Sequence, residues 1–179
     1  VAREYPIRKI VLPKDLTGIV PGVIPPHLLR KTKPYGWLHW LAADAYHALR
    51  AKAFADGIRP FRPTSAGDTY RTLAIQRNGF LARYQLGPIS GASTRTWEGK
   101  KWYLKPGFAP MASPGSSNHN LGIAVDIFQA SGERLEWLLN NALAFGWSWE
   151  LQSEPWHIRY VAGDNVPEPV KLWKATSGG

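Results

Sequence analysis

Ser117-Asn118-His119-Asn120-Leu121-Gly122-Ile123-Ala124-Val125-Asp126 places a histidine seven residues before an aspartate, with the aspartate inside an apolar run. Ile123, Val125 and Ile127 surround Asp126 and predict a strand over 122–128. A carboxylate buried in such a strand loses its hydration and needs a partner, for which a metal is well suited. Downstream, Glu154-Pro155-Trp156-His157-Ile158-Arg159-Tyr160 sets a second histidine between Trp156 and Ile158, where the same argument applies. Together the segments offer two imidazoles, one carboxylate ligand and a spare carboxylate. Catalytic zinc commonly takes three protein ligands and leaves the fourth position to water, and a nearby Glu can accept that water's proton. Against this stands the ordinary use of each residue: a lone His is usually a hydrogen-bonded structural group, and an Asp ending a strand is usually a cap or turn residue. Taken alone, the residues demand a partner without naming it.

Working outward, residues 133–145 read as an amphipathic helix ended by Gly146, and 147–151 and 156–161 as two further strands. Upstream, Trp37, Trp40, Leu41, Ala45, Ala48 and Leu49 recur at helical spacing and predict a helix over 37–56, closed by Gly57. Residues 58–63 read as a short strand weakened by two prolines, 65–68 as a turn and 70–84 as a second helix. Residues 87–117 read as a long loop carrying Trp97, Trp102, Tyr103 and Phe108, some lining a groove and some pinning the loop to the core. Residues 1–36 are Pro-rich and read as an arm wrapping a catalytic core at 37–162, with 167–179 as a tail or the start of a linker. The expectation is one domain over 1–179, since 179 residues suffice for one core and not for two ordinary ones.

Composition narrows the chemistry. There are no cysteines, so disulfides and thiolate metal sites are excluded and any metal must be held by His and carboxylate. No apolar run is long enough for a membrane span. The first residues lack the layout of a signal peptide, and a starting Val points to a processed or trimmed chain. The net charge of +9 suits nucleic acid, an anionic membrane surface or an anionic cell wall. The basic residues are scattered and no nucleic-acid-binding signature is present, so nucleic acid is not the expected partner.

The two segments match Ser-x-His-x-x-Gly-x-Ala-x-Asp followed by Glu-x-x-His. This pattern resembles that of the zinc peptidases grouped as lysostaphin, D-Ala-D-Ala metallopeptidases and the hedgehog N-terminal domain. The likeness is nearest to D-alanyl-D-alanine carboxypeptidases of vancomycin-resistance type and related phage endolysin peptidases, and Glu154 to Val161 is especially similar to the carboxypeptidase ending. A third match runs through Ala55-Asp56-Gly57-Ile58 and Gly67-Asp68-Thr69-Tyr70-Arg71-Thr72, with Gln76 after it, so that the resemblance covers roughly 38–162. The arm at 1–36 and the aromatic loop at 87–116 have no counterpart in the pattern.

The resemblance implies an α+β fold: a small antiparallel sheet flanked by helices, hedgehog/D-Ala-D-Ala-peptidase-like, with zinc in a cleft across the sheet. It implies that His119, Asp126 and His157 hold Zn2+, that Glu154 is the general base, and that Arg71 faces the site to clamp a carboxylate or stabilise the oxyanion. Ser117, Gln76 and Trp156 are the implied substrate contacts. The implied substrate is a peptidoglycan stem peptide, cut at its terminal D-Ala-D-Ala bond or internally. Action at the bacterial cell wall follows, by a secreted enzyme or a phage lysis protein, and anionic wall polymers would suit the basic surface. Two readings of another class stand beside it: a non-catalytic zinc module, which has no need of the spare Glu154, and a phage tail structural protein carrying this fold.

Overall fold

The computed structural model describes residues 3–177. In chain order the elements are β1 (Leu29–Lys31), β2 (Trp37–His39), α1 (Trp40–Ala55), α2 (Leu73–Arg83), β3 (Tyr84–Gln85), β4 (Thr94–Trp97), β5 (Lys100–Leu104), β6 (Ala124–Asp126), α3 (Gly132–Asn141), β7 (Trp147–Trp149), β8 (His157–Tyr160) and α4 (Glu168–Ser177). All strand pairs are antiparallel, so the expected α+β class with small antiparallel sheets and flanking helices is what is observed. Among the described residues there are three sheets rather than one: β1-β2, β3-β5-β4 and β6-β8-β7.

The sheet β6-β8-β7 lies at the centre of the core. Ile123, Val125, Trp147, Trp149, Ile158 and Tyr160 are fully buried and pack with α1, whose Leu41, Ala45, Tyr46, Ala48 and Leu49 are buried too. The alternation predicted for this segment therefore holds, with a strand shorter than the expected 122–128. Both edges of the sheet are covered, which satisfies backbone groups that would otherwise be open to pairing. On the β7 side the arm bridges Ile7 to Trp149 and pairs Val11 with the chain after β8, at 3.0 Å from the Val11 amide to the Val161 carbonyl. On the β6 side the amides of Thr64 and Phe128 donate to Asp126 and Arg62, at 3.0 and 2.9 Å.

The arm is anchored by burial of Leu16, Ile24 and Leu28. It is also clamped to the start of α1. Fully buried His39 accepts the Leu41 amide at Nδ1 (3.3 Å), which leaves Nε2–H to donate to Asp15 at 2.7 Å; the Trp40 indole donates to the other Asp15 oxygen at 2.8 Å. One carboxylate thus fixes both the helix cap and the arm.

Five expectations need correction. The segment 58–63 is not a strand: Pro60 and Pro63 lack ladder donors, and pairing survives only at the Pro63–Ile127 bridge. The first helix begins at Trp40, because Trp37–His39 pairs with β1, and its predicted close at Gly57 is met by a left-handed residue at φ +82°. The second helix begins at Leu73, where the Thr72 hydroxyl caps it by accepting from the Ile75 amide. Residues 87–117 are not a plain loop, since β4 and β5 form a hairpin on β3. Trp97 and Trp102 meet the buried Phe80 edge-on and so pin the hairpin, while Phe108 is exposed. Finally, 168–177 is helix α4 rather than a tail. Buried Val170 and partly buried Trp173, three residues apart, pack on the core, and Lys174 pairs with Asp44 of α1 at 2.8 Å. The Gly178 and Gly179 end of the expected linker lies outside the described residues.

Asp15→Ala leaves the buried His39 N–H and the Trp40 indole without their acceptor. A buried donor stranded in this way costs about 1–3 kcal/mol, and urea unfolding is expected to show a loss of that size.

Candidate metal centre

Antiparallel pairing of β6 and β8 sets Asp126 directly opposite His157. Cross-strand neighbours share one face of a sheet, so both side chains project to the same side, and His157 Nδ1 lies 2.7 Å from Asp126 Oδ1. His119 arrives from the preceding turn, a short 3-10 helix at Asn118–Leu121. Ser117 caps it: its hydroxyl accepts the His119 amide at 3.2 Å, and its own amide donates to Asn120 Oδ1 at 3.3 Å. The turn ends at Gly122, at φ +68°. A Cβ there would lie 2.9 Å from the His39 amide nitrogen, whose proton the Gly122 carbonyl accepts at 2.8 Å. Only glycine tolerates both that backbone angle and that approach, which explains the His-x-x-Gly spacing.

The ring nitrogens have defined roles. His119 Nδ1 lies 2.8 Å from the Thr69 carbonyl, which can only accept, so Nδ1 carries a proton. Nε2 then faces Asp126 Oδ1 at 3.2 Å. A lone pair facing a carboxylate at that distance requires a proton or a cation between them. The three ligand atoms of His119, Asp126 and His157 all lie within 4.8 Å of one another and are largely buried. Two imidazole nitrogens and one carboxylate oxygen, without thiolate, are a donor set for zinc with one position open, so these residues fit a catalytic ion.

Burial would raise the Asp126 carboxyl, but hydrogen bonds from both imidazoles hold it well below the usual carboxylate range. Burial would lower His157, but the hydrogen bonds and charges of Asp126 and Glu150 overcome it and raise the ring to about 9. Glu150, passed over in the sequence, lies 2.6 Å from His157 Nε2; that hydrogen bond, aided by Asn118, holds it at about 2 against burial. Register is the signal that reveals it: Trp149 pairs with Ile158, so the next position across from β7 is Glu150 opposite His157. Asp68 is also near. Burial and then the Asp126 carboxylate raise its pKa, while Ser65 donates to it at 2.7 Å.

The other expected residues divide into two groups. Glu154 is half-buried three residues before His157, and among the described residues its carboxylate has no hydrogen bond or ion pair. Arg71 is held at the site by its own backbone: its amide donates to the His119 carbonyl at 3.0 Å, and its carbonyl accepts from Asn120 at 2.9 Å. Burial lowers the Arg71 pKa, opposed by Asp126, Asp68 and Glu154, which are within electrostatic reach. Its Nε is buried without a partner. Trp156 is 42% exposed and open to a ligand. Gln76 departs from the expected substrate contact. It is fully buried, accepts from Arg71 Nη1 at 3.1 Å and donates to the Ala112 carbonyl at 2.8 Å, so it stands behind Arg71 rather than in the cleft. The Ser117 hydroxyl accepts at the cap, which leaves its O–H to donate elsewhere. A groove of about 320 Å³ opens between Val20, Leu73, Arg77, Trp97, Glu98 and Gly115.

Residues 36–163 match the family described as VanY, D-alanyl-D-alanine carboxypeptidase. The chain belongs to this family. A D-alanyl-D-alanine carboxypeptidase of Enterococcus faecalis (strain ATCC 700802 / V583) is 30% identical over 136 residues, which is 66% of this chain and 44% of that protein. The chain thus spans less than half the length of that curated relative. Among solved structures, VanYB in complex with D-alanine-D-alanine superposes with a TM-score of 0.51 at 22% identity, over 86% of this chain and 87% of that one. The likeness is one of fold. A vancomycin-resistance D,D-pentapeptidase from a VanB-type cassette, in complex with Zn(II), gives a TM-score of 0.49 at 24% identity, over 77% and 82%.

The elevated His157 pKa has a sign that can be checked in metal-free protein. The protonated ring is favoured by folding, so its contribution is complete below the unfolded value near 6.5 and is lost as pH rises through about 9. His39 is shifted the opposite way by burial, and its effect falls below that window. Chelator-treated protein is therefore expected to melt lower above pH 9 than at neutral pH, and His157→Gln to remove that difference.

Proposed function

We propose that this chain is a zinc-dependent peptidase of bacterial peptidoglycan, acting as a D,D-carboxypeptidase on stem peptides that end in D-Ala-D-Ala. The observation that carries the reading is a His-Asp-His donor set, with a half-buried glutamate that has no ion pair among the described residues and a half-buried arginine within electrostatic reach of both Asp126 and that glutamate. Family membership supplies the substrate class, and the structural relative's complex with D-alanine-D-alanine accords with it.

His119 Nε2, Asp126 and His157 Nδ1 would hold the ion. Bound zinc supplies Lewis acidity at the scissile carbonyl and lowers the pKa of water to about 7. Glu154 accepts the water's proton and returns it to the leaving amine. Arg71 donates to the oxyanion as the carbonyl carbon becomes tetrahedral, or clamps the terminal carboxylate of the peptide. Gln76 accepts from Arg71 Nη1 and keeps the guanidinium aimed. Exposed Trp156, two residues from Glu154, offers an apolar surface. The half-buried, unpaired Glu154 favours catalysis over a purely structural zinc module, which needs no base.

Glu154→Gln is expected to keep zinc and lose hydrolysis by a factor of about 100 or more, read by metal analysis beside mass spectrometry of digested muropeptides. Loss of one terminal alanine from pentapeptides confirms the carboxypeptidase. Products split within the stem or at a cross-link would instead assign an endopeptidase, as in an endolysin. Full activity in Glu154→Gln would refute the assignment of the base.

The proposed site of action is the cell wall. The net charge of +9 draws the protein to anionic wall polymers. Binding to purified walls is expected to weaken as salt rises, since the screening length falls from about 10 Å at 0.1 M to about 3 Å at 1 M. Salt-independent binding in a pull-down would rule out this Coulombic attraction.

A further inference from the structure

We infer that Glu150 is a positioning residue for the metal centre, and that Arg159 and the N-terminal arm hold it in place. The inference rests on the proposed metal site and not on the identity of the peptide cut. Central strand β8 presents His157 between two carboxylates, Asp126 from β6 on one side and Glu150 just beyond β7 on the other. Nδ1 faces Asp126 at 2.7 Å and Nε2 faces Glu150 at 2.6 Å. An imidazole that ligates through Nδ1 must carry its proton on Nε2, and a carboxylate there selects that tautomer and stops rotation of the ring. His119 has the equivalent restraint in mirror form: a backbone carbonyl takes its Nδ1 proton and leaves Nε2 for the ion. Each histidine is thus restrained through the nitrogen that faces away from the ion.

Glu150 is itself supported. Arg159 Nη1 approaches its other oxygen at 3.5 Å, and Arg159 Nη2 donates to the Arg8 carbonyl at 3.2 Å. The Arg8 amide in turn donates to the Ser148 hydroxyl at 3.1 Å, so the arm is fastened on both sides of this contact. The arm, which the family match at 36–163 leaves out, therefore reaches the metal centre through three consecutive contacts. Glu150 does not compete with Glu154 for the role of base: it lies on the far nitrogen of His157, away from Asp126.

The test measures zinc affinity by chelator competition, with circular dichroism to confirm folding of each metal-free variant. Glu150→Ala is expected to weaken zinc about 10- to 100-fold, the range found when a metal-ligating histidine loses the partner on its other nitrogen. Glu150→Gln, which keeps an acceptor oxygen, is expected to recover most of that loss, and Arg159→Met to weaken zinc by a smaller factor. At saturating zinc, Glu150→Ala is expected to lower kcat while KM stays near the wild-type value. Wild-type zinc affinity in folded Glu150→Ala overturns the inference. If Glu150→Ala does not fold, Glu150→Leu, which keeps the bulk and removes the acceptor, decides: unchanged zinc affinity in that variant overturns it. The two readings fail separately: a wild-type protein that binds no zinc refutes the proposed function, whereas tight zinc in wild type and Glu150→Ala alike refutes only the role of Glu150.

Discussion

A carboxylate placed in an apolar strand organises this molecule. Asp126 lies in the central sheet beside Val125 and Ile127, both fully buried, and its oxygen receives two imidazoles, one from the neighbouring strand and one from the preceding turn. An isolated charge there would be prohibitively costly, so the surroundings must supply protons or a cation. Much of the nearby backbone serves this arrangement. The Thr64 amide donates to the Asp126 carbonyl, the Thr69 carbonyl orients His119, and the Arg71 amide donates to the His119 carbonyl. Residues 64–71 thus act as a single brace behind the ligands.

Two tasks are kept apart. His119, Asp126 and His157, the proposed ligands, are oriented by hydrogen bonds, while the proposed chemistry needs Arg71 and Glu154 free. Arg71 is held by its main chain and by Gln76, so its side chain does not have to be fixed by a salt bridge that would neutralise it. Glu154 forms its own turn contact through its carbonyl, which accepts the His157 amide at 3.1 Å, while its carboxylate stays unpaired. Backbone hydrogen bonds hold both residues in position without engaging the Glu154 carboxylate.

The arm shows how a segment outside the matched family region becomes part of the structure. Its buried Leu16, Ile24 and Leu28 secure it, Asp15 joins it to the cap of α1, and Arg8 reaches Arg159. It covers the β7 edge of the site sheet, where unpaired strand groups would otherwise face solvent. Helix α4 closes the opposite flank of α1 through Val170 and Trp173. Both peripheral segments therefore support α1 and the sheet that carries Asp126 and His157.

Part of this was legible in the chain. The apolar alternation around Asp126 is local and predicted its strand; the residues alone left the partner open, and the resemblance carried by the two segments implied the set His119, Asp126 and His157, which the structure brings together. The helix at Trp40–Ala55 was legible for the same reason, because its period is local. Other features depend on contacts between distant segments. The hairpin at 94–104 is stabilised by Phe80 beneath it, and α4 forms because α1 offers Val170 and Trp173 a surface. Gln76 could not be distinguished by sequence from a substrate contact; only its complete burial behind Arg71 places it. Glu150 was invisible for the most physical of these reasons. Sequence identifies strands, but the register between β7 and β8 determines which side chain stands opposite His157, and register is set by the packing of the whole sheet.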